Sequence, residues 1–222
     1  MGCDIHYTYE IQQPNGEWIH HDYRARHERE GSIDYNTLFD DPLHVSRCYL
    51  LFAFLANVRN GFGFAGCDTG DAITPIDEPR GVHDDATYYF KSRVLEYGQD
   101  GHSHSWVTGE DLRDADWDQV TTERALVRLS NYPTFKEAGK PKGLAYYGGI
   151  SGANVVPISM EEADDLIDHP EKQQEGKDYY VKIQWACPLR EELAYYHDTW
   201  LPAVLALHED PTKVRVSFFF DN

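Results

Sequence analysis

Asp4 and His6 stand two residues apart in a segment that alternates polar and apolar side chains. On a strand both project from one face. A carboxylate and an imidazole held on rigid backbone suit a borderline divalent ion such as Zn²⁺, Mn²⁺ or Fe²⁺. The same pair also describes a histidine oriented by aspartate for general-base work, or a satisfied polar pair on a solvated sheet face. A second constellation is Asp100-Gly101-His102-Ser103-His104-Ser105-Trp106. If extended, it places Asp100, His102 and His104 on one side as three possible ligands; otherwise it is a polar loop whose Trp106 docks into the core. Asp221 joins the Asp4/His6 cluster if the final strand lies beside the first. The expected metal set is therefore Asp4, His6, Asp100, His102, His104 and Asp221, with Asp4, His6 and His102 closest to catalysis.

Arg59, just past an apolar helix, and Arg80, in Pro79-Arg80-Gly81, are candidate clamps for a phosphate or carboxylate through the planar guanidinium fork. In a chain rich in acids each is also a ready ion-pair partner. Trp106 adds a stacking face for a bound ligand. Nucleophilic chemistry has thinner support. Cys3 falls on the opposite strand face from His6, and the sequence has no G-x-S-x-G, no P-loop and no G-x-G-x-x-G after a strand.

The elements that must position these groups are legible in part. Cys3, Ile5, Tyr7, Tyr9 and Ile11 alternate with Asp4, His6, Thr8 and Glu10, which predicts a half-buried strand. Asn15-Gly16 then turns the chain into a hairpin with Trp18-Ile19-His20. Residues 22 to 46 read as a solvated, mixed-charge loop. Ser46 is placed to cap an apolar helix over 47–58, expected to be buried against the sheet. Residues 60–86 are rich in glycine, proline and aspartate, a composition typical of a functional or mobile loop. Helices are predicted over 88–97, from a capping box at Thr108, from another at Ser159, and over 190–200 with Pro202 as a kink. Strands are predicted over 179–185 and 213–220. The order of elements predicts one α+β domain over 1–222, with a mixed or antiparallel sheet that holds the N-terminal hairpin and the C-terminal strand, packed against helices, with long loops.

The chain has 222 residues, 41% hydrophobic and 14% aromatic, enough for a core without disulfides or metal. No apolar run approaches the ~20 residues of a membrane span. The four scattered cysteines and the absence of a basic, apolar leader predict cytoplasmic residence. The net charge of -18, from 38 acidic and 20 basic residues, argues against direct nucleic-acid binding. It suits solubility, a cationic partner, or mimicry of nucleic acid toward a basic protein.

Several of these segments together resemble a group of bacteriophage and prophage proteins with no established activity. The resemblance rests on the opening Met1-Gly2-Cys3-Asp4-Ile5-His6, the 47–60 segment, Pro79-Arg80-Gly81, 100–106 and the closing Phe-Asp-Asn. It implies an accessory protein of a phage or its host, with one site built from both termini and the two loops. Three functions are expected from the residues and this context. The first is a metal-dependent hydrolase acting on a nucleotide or phosphodiester. The second is a binding protein that sequesters a nucleotide-like host-defence signal. The third is an acidic inhibitor that blocks a basic host protein.

Overall fold

The computed structural model describes residues 2–29, 31–63, 66–147 and 149–221. Met1 and Asn222, the outermost residues of the two terminal motifs, lie outside the described residues. Along the chain run β1 (Asp4–Gln12), β2 (Trp18–His21), β3 (Glu28–Arg29), β4 (Ser32–Ile33), α1 (Tyr35–Leu38), α2 (Tyr49–Ala56) and α3 (Tyr88–Tyr97). Then come β5 (Gly101–Thr108), α4 (Gly109–Asp114), β6 (Val120–Arg128), α5 (Tyr132–Ala138), β7 (Val155–Ile158) and α6 (Met160–Asp168). The last elements are β8 (Asp178–Pro188), α7 (Leu189–Glu192), α8 (Leu201–Leu205) and β9 (Val214–Asp221). The fold is α+β. Its contacts divide into two compact units, one of residues 1–60, 74–119 and 189–222, the other of 61–73 and 120–188.

The first unit is built on an antiparallel sheet in the order β2-β1-β9-β5. The predicted hairpin forms, with Gln12 opposite Trp18 and Gly16 at φ +86°, a conformation glycine takes at little cost. β9 lies between β1 and β5, pairing Asp4 with Asp221 and Ile11 with Val214. Phe52 of α2 meets Phe220 on one face, and Phe90 of α3 meets Phe219 on the other. Both faces of β9 are therefore covered, so its seven residues from Val214 to Phe220 are all buried, Arg215 and Ser217 included.

The Glu10 carboxylate on this sheet is fully engaged, whereas Arg215 Nη2 is buried without a hydrogen-bond partner among the described residues. Glu10, with no exposed surface, accepts hydrogen bonds from Arg215 Nε (2.8 Å), Ser217 Oγ (2.5 Å) and the Thr87 N–H (2.7 Å). Arg215 also reaches Asp85 at 2.8 Å, and its guanidinium lies 4.1 Å from the Trp18 ring centroid. On the other face Tyr9 donates to Leu43 O and accepts from Trp200 Nε1, both at 2.6 Å.

Some local expectations change. Cys48, not Ser46, precedes α2, and it makes no side-chain cap bond; Ser46 instead meets the Tyr196 hydroxyl. The 22–46 segment is more than a solvated loop. Its buried Asp41 accepts a bidentate pair of bonds from Arg26, both 2.6 Å, and one from His27 Nε2 at 2.5 Å. The helix expected over 190–200 is a short α7 followed by a π-helical turn at Tyr196–Trp200, and Pro202 sits in the first turn of α8, where its missing N–H costs nothing. The capping boxes at Thr108 and Ser159 form, with both reciprocal bonds.

The second unit holds a mixed sheet, β6-β8-β7, antiparallel between β6 and β8 and parallel between β7 and β8. α5 and α6 cover it around Val127, Phe135, Ile183 and Trp185. The glycine-rich stretch contributes an edge to β6: Asp71 N–H donates to Thr122 O at 2.7 Å and Arg124 N–H to Thr69 O at 2.9 Å. Gly70 permits this approach, since a Cβ there would stand 2.3 Å from Thr122 O. Among the described residues no helix is long and apolar enough to cross a membrane.

Candidate functional site

The register of the first sheet decides which candidate residues meet. In the row at the end of β1, Asp4 and Gly101 both pair with Asp221. Asp221 Oδ1 accepts from the Asp4 N–H at 3.1 Å, and its Oδ2 stands 3.1 Å from His6 Nε2. That is ion-pair distance, although the angle does not make a hydrogen bond. The expected approach of the two chain ends is thus present. His6 itself packs between Tyr97 (4.2 Å) and Phe219 (4.9 Å). Asp4 is engaged elsewhere: Arg47 binds it through Nε at 2.7 Å and Nη2 at 2.6 Å, holding its carboxyl below the usual range.

Strict alternation of Asp100, His102 and His104 fails. His102 pairs with Phe220 and Ser105 with Phe218, so two residues, Ser103 and His104, oppose the single Phe219. This is a β-bulge, and Ser103 carries it at φ +49°. The extra residue turns the following side chain over. His104 stacks on Phe219 at 5.4 Å on the α3 face, while His102 stacks on Phe220 at 6.1 Å on the α2 face. His6 and His104 do share a face, but the Phe219 ring stands between them in the strand order β1-β9-β5. Asp100 is exposed on the turn before β5. The six-ligand set therefore disperses over two faces and an aromatic divider. Among the described residues no group of three His, Cys, Asp or Glu side chains is arranged to hold a metal ion. Burial pulls His104 below the ordinary histidine range, with His102 adding to the effect, and His104 Nε2 is buried without a hydrogen-bond partner among the described residues.

Arg80 is also committed internally. Its guanidinium bonds Asp77 and Asp111, each at 2.7 Å, and the Trp106 carbonyl at 3.2 Å, while stacking 4.6 Å from the Trp106 ring centroid. Trp106 has a second cation, Arg215, at 5.9 Å. Arg80 holds loop 77–81 onto β5, where its N–H also donates to Ser105 Oγ at 3.1 Å. An expected ligand clamp is here a fastening.

What does converge is a cleft of about 440 Å³ on the α2 face, lined by the end of α2 and its exit (Ala56 to Arg59), by Glu78 and Pro79, and by His102 and Ser103. Two sequence candidates, Arg59 and His102, share it. Asn57 ends α2 in the left-handed conformation (φ +57°), and its side chain donates to Glu78 Oε1 at 2.6 Å and accepts from Asn60 at 2.9 Å. Arg59 is also left-handed (φ +57°). Its guanidinium lies 5.2 Å from the Tyr49 ring centroid, and its charge acts on the Cys3 thiol. Burial pushes that thiol above its ordinary range, and Arg59 opposes the shift only in part. His102 Nδ1 and Ser103 Oγ are 3.0 Å apart.

Asn57, Arg59 and Ser103 are the positive-φ residues other than glycine among the described residues, and all three line this cleft. Such conformations cost free energy for side-chain-bearing residues and gather at functional sites. Asn57, Glu78 and Ser103 escaped sequence reasoning. Only the apolar run halting at Asn57 hinted at a helix end. Comparison with protein-family models, curated proteins and solved structures finds no match to this chain.

Proposed function

We propose that this protein binds a small anionic, nucleotide-like ligand in the cleft between the exit of α2 and the bulge of β5. The observation that carries this reading is the convergence of every left-handed non-glycine residue among the described residues on a cleft that also holds Arg59 and His102. A guanidinium and an imidazole offer donors to a phosphate, and Asn57, Ser103 and Glu78 offer polar edges to the remainder of the ligand. A volume of about 440 Å³ suits a ligand of that size. Capture without turnover is favoured over metal-dependent hydrolysis, because the carboxylates and imidazoles that would hold an ion are dispersed. Cytoplasmic residence goes with this reading, as none of the four cysteines forms a disulfide. The resemblance to phage and prophage proteins supplies its context, sequestration of a host-defence signal.

The test is incubation of the purified protein with a panel of mono-, di- and cyclic nucleotides, followed by denaturation and analysis of what is released. Intact ligand, bound about tenfold or more weakly by Arg59→Ala and by His102→Ala, is the expected result. New products would replace capture by catalysis. Affinity untouched by both substitutions would move the site away from this cleft.

A further inference from the structure

We propose that the second unit carries its own oxyanion site, a cleft of about 440 Å³ between the end of β6 and the start of β8, independent of the cleft in the first unit. It is lined by Arg128, Ser130, Gln173, Lys177, Tyr179 and Tyr180, with apolar walls from neighbouring residues.

The charge arrangement singles it out. In a chain with 38 acidic residues against 20 basic ones, a cation normally acquires a carboxylate. Within this same unit Arg124 takes Asp68 and Asp71, Lys136 takes Asp164, and Lys172 takes Asp165. Arg128 and Lys177 do not follow suit; Lys142 and Lys182 also make no ion pair among the described residues, but Arg128 and Lys177 share one cleft. Arg128 lies 5.7 Å from the Tyr180 ring centroid. Lys177 Nζ donates to the Ala153 carbonyl at 3.3 Å. No carboxylate among the described residues stands at ion-pair distance from either cation. Asp178 also lines the cleft, so one acid faces two cations there.

The backbone explains why these side chains share a mouth. Arg128 ends β6 opposite Tyr180 of β8, and Lys177 immediately precedes β8. The antiparallel pairing therefore brings the two cations to one end of the sheet. A guanidinium fork backed by an aromatic ring, with a lysine across the opening, is suited to a phosphate or a similar oxyanion. The apolar walls from Leu129, Pro133 and Ile167 suit an aromatic body attached to that group. The ligand class is an aryl or heterocyclic phosphate.

Phenyl phosphate and inorganic phosphate, titrated against the full chain by calorimetry at two salt concentrations, test the assignment. Phenyl phosphate is expected to bind saturably and more tightly than inorganic phosphate, with affinity falling as salt rises. Arg128→Gln and Lys177→Gln should each weaken it by about tenfold; both positions are exposed, so the fold tolerates the change. The losses caused by Arg128→Gln and Lys177→Gln should be the same in an Arg59→Ala background, which separates this site from the one proposed above. Absence of saturable binding, or binding indifferent to both Arg128→Gln and Lys177→Gln, overturns the proposal.

Discussion

Arg215 shows how a single residue can contradict its own surroundings. It lies in a largely apolar strand, and alternation would place it, with Glu10 and Thr8, on a half-solvated face. All three are buried. The reason is tertiary: Asp85 and the N-terminus of α3 close over that face, and Glu10 answers with three hydrogen bonds. Nothing local to Glu10 or Arg215 encodes the segment that covers them. Such a pair contributes little beyond an apolar pair of equal shape, but breaking it strands a charge in the core. Arg215→Met is therefore expected to lower stability by about 3–5 kcal/mol. Glu10→Leu combined with Arg215→Met should recover much of that loss in urea unfolding. A single substitution within 1 kcal/mol of the parent protein would show that the network is hydrated rather than sealed.

Among the elements, those with strong local patterns were legible. The first hairpin, the helix at Tyr88–Tyr97, both capping boxes and the last strand follow from alternation, turn chemistry and caps. The bulge at Ser103 does not, because a bulge is set by the partner strand's register, and Asp100-Gly101-His102-Ser103-His104 gives no local sign of an extra residue. Half of the candidate site followed the same fate. Arg59 and His102 were found by residue type, whereas His104 went to the opposite face and Arg80 to its neighbouring acids. A test of the bulge compares Ser103→Val with Ser103→Gly, since both remove the hydroxyl that meets His102 Nδ1. At φ +49° the β-branched side chain should cost roughly 2 kcal/mol relative to glycine, read as a difference in urea midpoint. Equal stability of the two variants would mean that β5 pairs in a regular register.

For the molecule as a whole, composition spoke to class but not to architecture. The net charge of -18 is the electrostatic background against which the two proposed clefts would have to take an anion. The division into two units was hidden, since the second is made from two separated stretches of chain and no compositional break marks either of them. Each unit has its own sheet and its own cleft, and the two binding experiments probe them one at a time.

The pairing of Asp4 with Asp221 has a kinetic meaning. The contact between them spans 217 positions, and closing a flexible loop of that length costs about 5 kcal/mol of chain entropy before any strand bond repays it. β1 cannot gain its inner neighbour until β9 arrives, whereas β6, β7 and β8 lie within one continuous stretch. The second unit is thus expected to reach native order ahead of the first sheet, leaving β1 as an exposed aromatic edge in the interval. In pulse-labelled hydrogen exchange during refolding, amides of β6 and β8 should gain protection before those of β1 and β9. Simultaneous protection would show that the terminal strands meet early, and that the chain's ends nucleate rather than complete the fold.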